Sequence, residues 1–203
     1  MRETINVMCL DVAFAHVGVA VVGYPVAGGA PMIRHTHTIT TTKSDKKLAV
    51  RSANDSVRRC QEAFTALMDT AKAYSVVGLI AELPTGGSKS SAAARAMGMG
   101  AAVAACFSET LDLPTEWTTP EMGKVALSGH KNASKVEMKE NAAKLWPAST
   151  KGFHFKRKSS RSKNKEPEWD DNYEHVADAL GAFMAAKGGF VERTAMMLCK
   201  ERG

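Results

Sequence analysis

Four side chains able to do hydrolytic chemistry lie far apart in this chain. Asp11 ends the apolar run "MCLD", Glu82 ends "VVGLIAE", and His175 and Asp178 sit inside "EHVADAL". Each carboxylate marks the point where an apolar stretch meets polar sequence. In an α/β sheet the ends of neighbouring strands, and a helix packed beside them, bring such distant residues together. Three converging carboxylates raise one another's pKa, so a cation is the natural neutraliser, and hard oxygen ligands select Mg²⁺ or Mn²⁺. Two such ions about 4 Å apart can activate a water, hold a phosphate and stabilise a departing oxygen. His175 precedes Asp178 by one helical turn and shares its face, as an extra ligand or an acid/base. Taken singly, each acid has an ordinary alternative as a turn former, an exposed loop residue or a first-turn acid complementing a helix dipole.

The elements that must position these groups follow from periodicity. Ile5 to Leu10 reads as a buried strand, Val17 to Val22 as its hairpin partner and Met32 to Thr42 as a third strand. From Ser52 to Tyr74, the residues Val57, Cys60, Phe64, Leu67 and Ala71 recur at helical spacing, which puts Arg58, Arg59 and Asp69 on other faces. Val76 to Ala81 is wholly apolar, as expected of a strand covered on both faces. An Ala/Gly-rich helix ending near Leu111, a short strand in "LPTEWTTP", and helices over Lys135 to Trp146 and Glu174 to Lys200 complete the set. This order is that of an α/β, ribonuclease H-like fold. It comprises a five-stranded mixed sheet, a three-strand antiparallel meander plus parallel strands, flanked by helices.

With 203 residues and 44% hydrophobic content, the chain suits a single domain over 1–203. No apolar run reaches the length of a membrane span and no signal core opens the sequence, so a cytoplasmic, non-secreted protein without membrane contact is expected. Cys9, Cys60, Cys106 and Cys199 lack CxxC spacing, which favours buried reduced thiols over a zinc site or disulfides. The 27 Lys and Arg against 21 Asp and Glu give a formal charge of +6, favouring an anionic partner. Much of that excess lies in a polar loop at about 149–170 that includes Lys156, Arg157 and Lys158, a mobile arm suited to DNA phosphates or an inert solvated loop. Phe153, Phe155 and Trp169 lie in or beside it, able to stack on bases or to pin it to the core.

The chain resembles RuvC-type Holliday junction resolvases, through "LDVAFAHVGVAVV", "VGLIAELP" with its following small-residue helix, "GKVALSGHKNASKVEM" and "EHVADALGAF". In the third motif Lys124, Gly129, Ala133 and Lys135 occupy the family's lysine, glycine, small-residue and second-lysine positions. The resemblance implies two Mg²⁺ ions per site, with Mn²⁺ able to substitute, held by Asp11, Glu82 and Asp178, and His175 in a fourth catalytic position. It implies that Lys124 and Lys135, here on a helix-entry loop, contact junction backbone, and Lys131 and Lys89 lie where they could join them. The implied activity is that of a Mg²⁺-dependent endonuclease making paired symmetric nicks in four-way DNA, leaving 5′-phosphate ends, as a homodimer and without a small-molecule cofactor. Broader cutting of flaps, forks or RNA–DNA hybrids, and a non-catalytic junction-binding protein, are the alternatives. The sequence departs from the family after Asp11, where only Gly18 remains of a glycine-rich stretch, and after Glu82, where "LPTGGSK" lacks an aromatic. A divergent, phage-encoded member fits these departures.

Two further features have plain readings. Ala93, Ala96, Gly100 and Ala104 form a small-residue helix face, for a dimer interface or for burial within the monomer. His35 and His37 share one side of a strand but lack a third ligand, which favours a surface strand, and Met8, Met97, Met99, Met196 and Met197 read as core filling.

Overall fold

The computed structural model describes residues 3–45, 47, 49–87, 90–146 and 172–203. Strands β1 (Thr4–Val12) and β2 (His16–Pro25) pair antiparallel from Thr4 opposite Pro25 to Val12 opposite Val17. Strand β3 (Met32–Thr40) continues the meander along β2. Helix α1 (Ser52–Tyr74) then ends on Ser75, whose left-handed conformation (φ 49°) lets its N–H bond back to the last turn. This one-residue reversal feeds β4 (Val76–Glu82), which lies parallel to β1. Helix α2 (Ser91–Thr110) crosses over to β5 (Thr115–Thr118), parallel to β4, and completes a five-stranded sheet of order β3-β2-β1-β4-β5.

Helices α3 (Pro120–Ser128), α4 (Lys135–Leu145), α5 (Asn172–Ala185) and α6 (Phe190–Arg202) follow. They cover one face of the sheet, where Ile5, Val7, Cys9, Ala20, Val22 and Ile80 meet Leu127, Met138, Leu180 and Val191. On the other face Met8, Leu10, Val12, Val19 and Leu79 meet α1 and α2 through Leu67, Ala71, Ala104 and Phe107. The two-residue strand period therefore assigns every side chain of β1 to one layer or the other. Asp11 shares the parity of Val7 and Cys9, and Glu82 that of Ile80, so both acids project toward α5.

Several sequence expectations are corrected. Lys124 lies on a helix, α3, and not on a helix-entry loop. Thr119 caps it by accepting from Met122 N–H, Pro120 sits in its first turn, and Gly129 closes it at φ 83°. The expected helix over Glu174 to Lys200 is two helices, so Asp178 sits on the penultimate one. Gly188 (φ 77°) breaks it, and at Gly189 a Cβ would overlap the Glu116 carboxylate, which accepts from Val191 N–H at the start of α6. The stripe on α1 is rotated from its expected position, with Val57 exposed and Arg59 buried. The cysteines are free, but only Cys9 is buried and Cys106 is exposed. Met196 and Met197 are exposed and not core filling. His35 and His37 are half-buried, with His35 stacked on Tyr74, so β3 is less open on that side than a surface strand.

Candidate active site

The site forms where β1 and β4 end side by side. Asp11 and Glu82 are register partners across the parallel pair, and Gly18 is the register partner of Asp11 on β2. A Cβ at Gly18 would overlap the carbonyl of His175, so the glycine is what lets the first turn of α5 lie directly on the sheet. That approach delivers His175, whose Nδ1 donates to Asp11 Oδ2 at 2.7 Å, and Asp178 one turn later. His16 stacks on the His175 ring with centroids 5.2 Å apart.

On the far side, α3 meets α5 at a pair of glycines. A Cβ at Gly123 would lie 3.3 Å from the Gly181 carbonyl carbon and 3.1 Å from Glu82 Oε2. The crossing brings Lys124, the next residue of α3, into the electrostatic environment of both Glu82 and Asp178. Lys135, at the start of α4, pairs with Glu174 and also feels Asp178 and Asp11.

Burial dominates the electrostatics. Glu82, 7% exposed, is pushed up to about 8, first by burial and then by Asp11 and Asp178, with Lys124 opposing. Asp178 is pushed up to about 7, by burial and then by Asp11, with His175 and Lys124 opposing. His175 is raised, mainly because Asp11 accepts its hydrogen bond. Near neutral pH the cluster is therefore held between protonation states, the condition in which it takes up a proton or a cation readily.

No family model matches the sequence, and no curated protein matches it closely. Solved structures do match: T. thermophilus RuvC in complex with Holliday junction substrate has 17% identity and a TM-score of 0.62, over 90% of this chain and 93% of that chain. A second Thermus thermophilus RuvC structure has 16% identity and a TM-score of 0.61, over 94% and 98%. The chain has a RuvC-type fold.

Within this RuvC-type fold the donor set suits a hard divalent ion. The carboxyl groups of Asp11, Glu82 and Asp178 act on one another despite Lys124 and His175 beside them, and Thr118 Oγ1, on the register partner of Glu82, is buried without a hydrogen-bond partner among the described residues. In the present side-chain positions no three His, Cys, Asp or Glu groups among the described residues already surround a common point. The His175 bond occupies one oxygen of Asp11, so ion binding calls for that bond to loosen.

The predicted basic contacts are distributed unevenly. Lys124 is half-buried beside the acids, and Lys135 is exposed at their rim. Lys131 is exposed in the turn between α3 and α4. Lys89, Lys156, Arg157 and Lys158, with the rest of the 149–170 loop and its aromatic residues, lie outside the described residues. Sequence reasoning missed Glu174 and His16. Glu174 adjoins His175 in "YEHVAD", and the histidine of "FAHVG" is two residues before Gly18, so proximity to recognised positions was the available signal.

Proposed function

We propose that the protein is a Holliday junction resolvase: a Mg²⁺-dependent, structure-selective DNA endonuclease that makes paired nicks in four-way junctions and leaves 5′-phosphate ends. The observation that carries this reading is the meeting of Asp11 and Glu82, on adjacent strand ends, with Asp178 and His175 on α5. The matched RuvC complex with Holliday junction substrate adds support for branched DNA as the partner.

Asp11, Glu82 and Asp178 would hold two Mg²⁺ ions, or Mn²⁺ in their place, with His175 as a further ligand. When bound, the ions supply charge neutralisation at the scissile phosphate and lower the pKa of the attacking water. Where it does not ligate an ion, His175 would instead serve as an acid/base near the attacking water, oriented by its Nδ1 bond to Asp11. Lys124 draws the phosphate toward the acids and opposes the charge that develops there, while Lys135 tracks the neighbouring backbone. No small-molecule cofactor is needed.

A homodimer supplies two like sites for opposed strands of a junction with two-fold symmetry. The α2 face expected to serve it is divided: Gly100 and Ala104 are buried within the monomer, Ala96 is half-buried and Ala93 is exposed, so the stripe as a whole is not free for an interface. The cytoplasm of a bacterium or a phage-infected host is the fitting compartment, and among the described residues no helix is long and apolar enough to cross a membrane. A strand-cleavage panel of four-way junction, flap, fork, RNA–DNA hybrid and duplex, with Mg²⁺ or EDTA, tests the reading. Symmetric nicks confined to the junction are expected. Equal cutting of the other substrates would make it a broader nuclease, and binding without cutting a junction-binding protein.

A further inference from the structure

A cavity of about 660 Å³ lies on the opposite side of the β1–β2 turn from the acids. It opens between that turn, the segment after β3 and the first turns of α1 and α2, and its size is that of an ordinary small-molecule site, about 300–1,000 Å³. Val12, which follows Asp11 by one residue and points to the other sheet face, is part of its wall, as is Pro84, two residues after Glu82. The cavity and the acids thus adjoin the same strand ends on opposite faces of the sheet.

The lining carries a charge without a counter-charge. Arg59 is 5% exposed, yet among the described residues no carboxylate pairs with it. Its Nε donates to Thr41 Oγ1 (3.0 Å) and its Nη2 to the Thr41 carbonyl (3.2 Å), both neutral acceptors. Its guanidinium carbon lies 4.1 Å from the centroid of the Phe14 ring. Arg59 lines the cavity, so its guanidinium borders the open space there. A guanidinium held by neutral acceptors on one side offers its cavity side to an anion, for which its planar fork of donors is well shaped.

Lys43 and Arg95, both exposed, add positive charge at the rim. Of the acids that also line the cavity, Asp55 is paired with Arg58, while Asp45 keeps its charge at the exposed rim, where Lys43 and Arg95 outnumber it. Asp55 Oδ1 accepts from Ser44 Oγ (2.5 Å) and from Arg58 Nη2 (2.7 Å), and Asp45 Oδ1 accepts from Lys47 N–H (2.9 Å). The remainder is mostly apolar, with Phe14, Met97 and Met99 available to a flat ring.

We propose that this cavity receives one unpaired nucleotide of the DNA substrate, its phosphate toward Arg59, Lys43 and Arg95 and its base against Phe14, Met97 and Met99. The assignment to DNA rests on the nuclease reading above, whereas the preference for a nucleoside phosphate rests on the cavity alone. Base contact and phosphate contact are both required, so a nucleoside or inorganic phosphate binds less well than the intact nucleotide.

The test is a titration of the full-length protein in EDTA with thymidine 5′-monophosphate, thymidine and inorganic phosphate separately, read by ligand-observed NMR. The nucleotide is expected to bind, and the nucleoside and phosphate at least about tenfold more weakly. Val50 lines the cavity but is 43% exposed, so Val50→Glu leaves the core untouched while placing a carboxylate at the phosphate. Val50→Glu and Arg59→Met should each weaken nucleotide binding at least about tenfold, the expected result of like-charge repulsion and of losing a buried charge pair. A melting curve shows whether Arg59→Met is folded, and Val50→Glu carries the test if it is not. No nucleotide binding, or binding indifferent to Val50→Glu, overturns the proposal. A wild-type protein that cuts no junction but binds nucleotide through this cavity overturns the nuclease reading alone. One that cuts junctions while nucleotide binding ignores Val50→Glu overturns the cavity alone.

Discussion

The two sides of the sheet at the ends of β1 and β4 carry the same problem with opposite sign. Toward α5, Glu82 and Asp178 are buried beside Asp11. Toward α1 and α2, Arg59 is buried without a carboxylate among the described residues. Burial penalises both, but the responses differ. The carboxyl groups shift upward and can take a proton, whereas the Arg59 guanidinium is held by two neutral oxygens of Thr41 and the Phe14 ring. One side therefore favours cations and the other an anion, which are what the proposed function and the proposed cavity occupant respectively require.

The largest expected effect breaks the acidic side. Asp11→Asn and Glu82→Gln should each lower junction cutting at least about 10²-fold while leaving DNA affinity within about threefold, because they remove charge stabilisation and not the binding surface. Cleavage rates and gel-shift titrations check this.

Next comes the packing that creates that side. Gly18→Val forces a side chain into the His175 carbonyl, so α5 must lift from the sheet. A loss of about 1–3 kcal/mol in urea melts is expected, with cutting lost as well.

The pH dependence of stability sharpens the comparison. Glu82 and Asp178 are pushed up to about 8 and about 7 in the folded state, from ordinary carboxylate values of 4.5 and 3.8. Between those limits the native state binds more protons than the unfolded state, so stability falls as pH rises through that window. His175, also raised, contributes stability that is present below its unfolded value of 6.5 and lost as pH rises through its folded value, which acts in the same direction. The melting temperature in EDTA should thus decline from pH 5 to pH 8, and Asp11→Asn should flatten the decline. A melting temperature that rises over this range would contradict the assigned electrostatics.

The smallest effect is at the rim. The ion pair of Lys135 with Glu174 has Lys135 largely exposed, so Lys135→Ala should change stability by no more than about 1 kcal/mol. Its loss should reduce the slope of log affinity against log salt by about 1, as should Lys124→Ala.

The contrast also marks what the sequence made legible. The acids stood out because each ends an apolar segment, and strand parity plus the order of elements was enough to bring them to one place. The meander, α1 and the parallel strands were readable for the same reason. Helix α3 was not recognised, although Thr119, Pro120 and Gly129 supply its caps, because its nine residues are too few for a clear periodic stripe. The break before α6 was announced by Gly188 and Gly189 but masked by the helical pattern on both sides. Arg59 was hidden for a deeper reason. A charged residue on an amphipathic helix reads as solvent-facing, and only the fold reveals that Thr41 and Phe14 draw it inward.

The central claim is that the converging acids cut DNA at four-way junctions. It is tested most directly by cleavage of an immobile four-way junction by the wild-type protein and Asp11→Asn, each with Mg²⁺ and with EDTA. The account predicts symmetric nicks with 5′-phosphate ends only for wild type with Mg²⁺. Cutting that persists in EDTA or in Asp11→Asn, or no cutting at all with Mg²⁺, would contradict it.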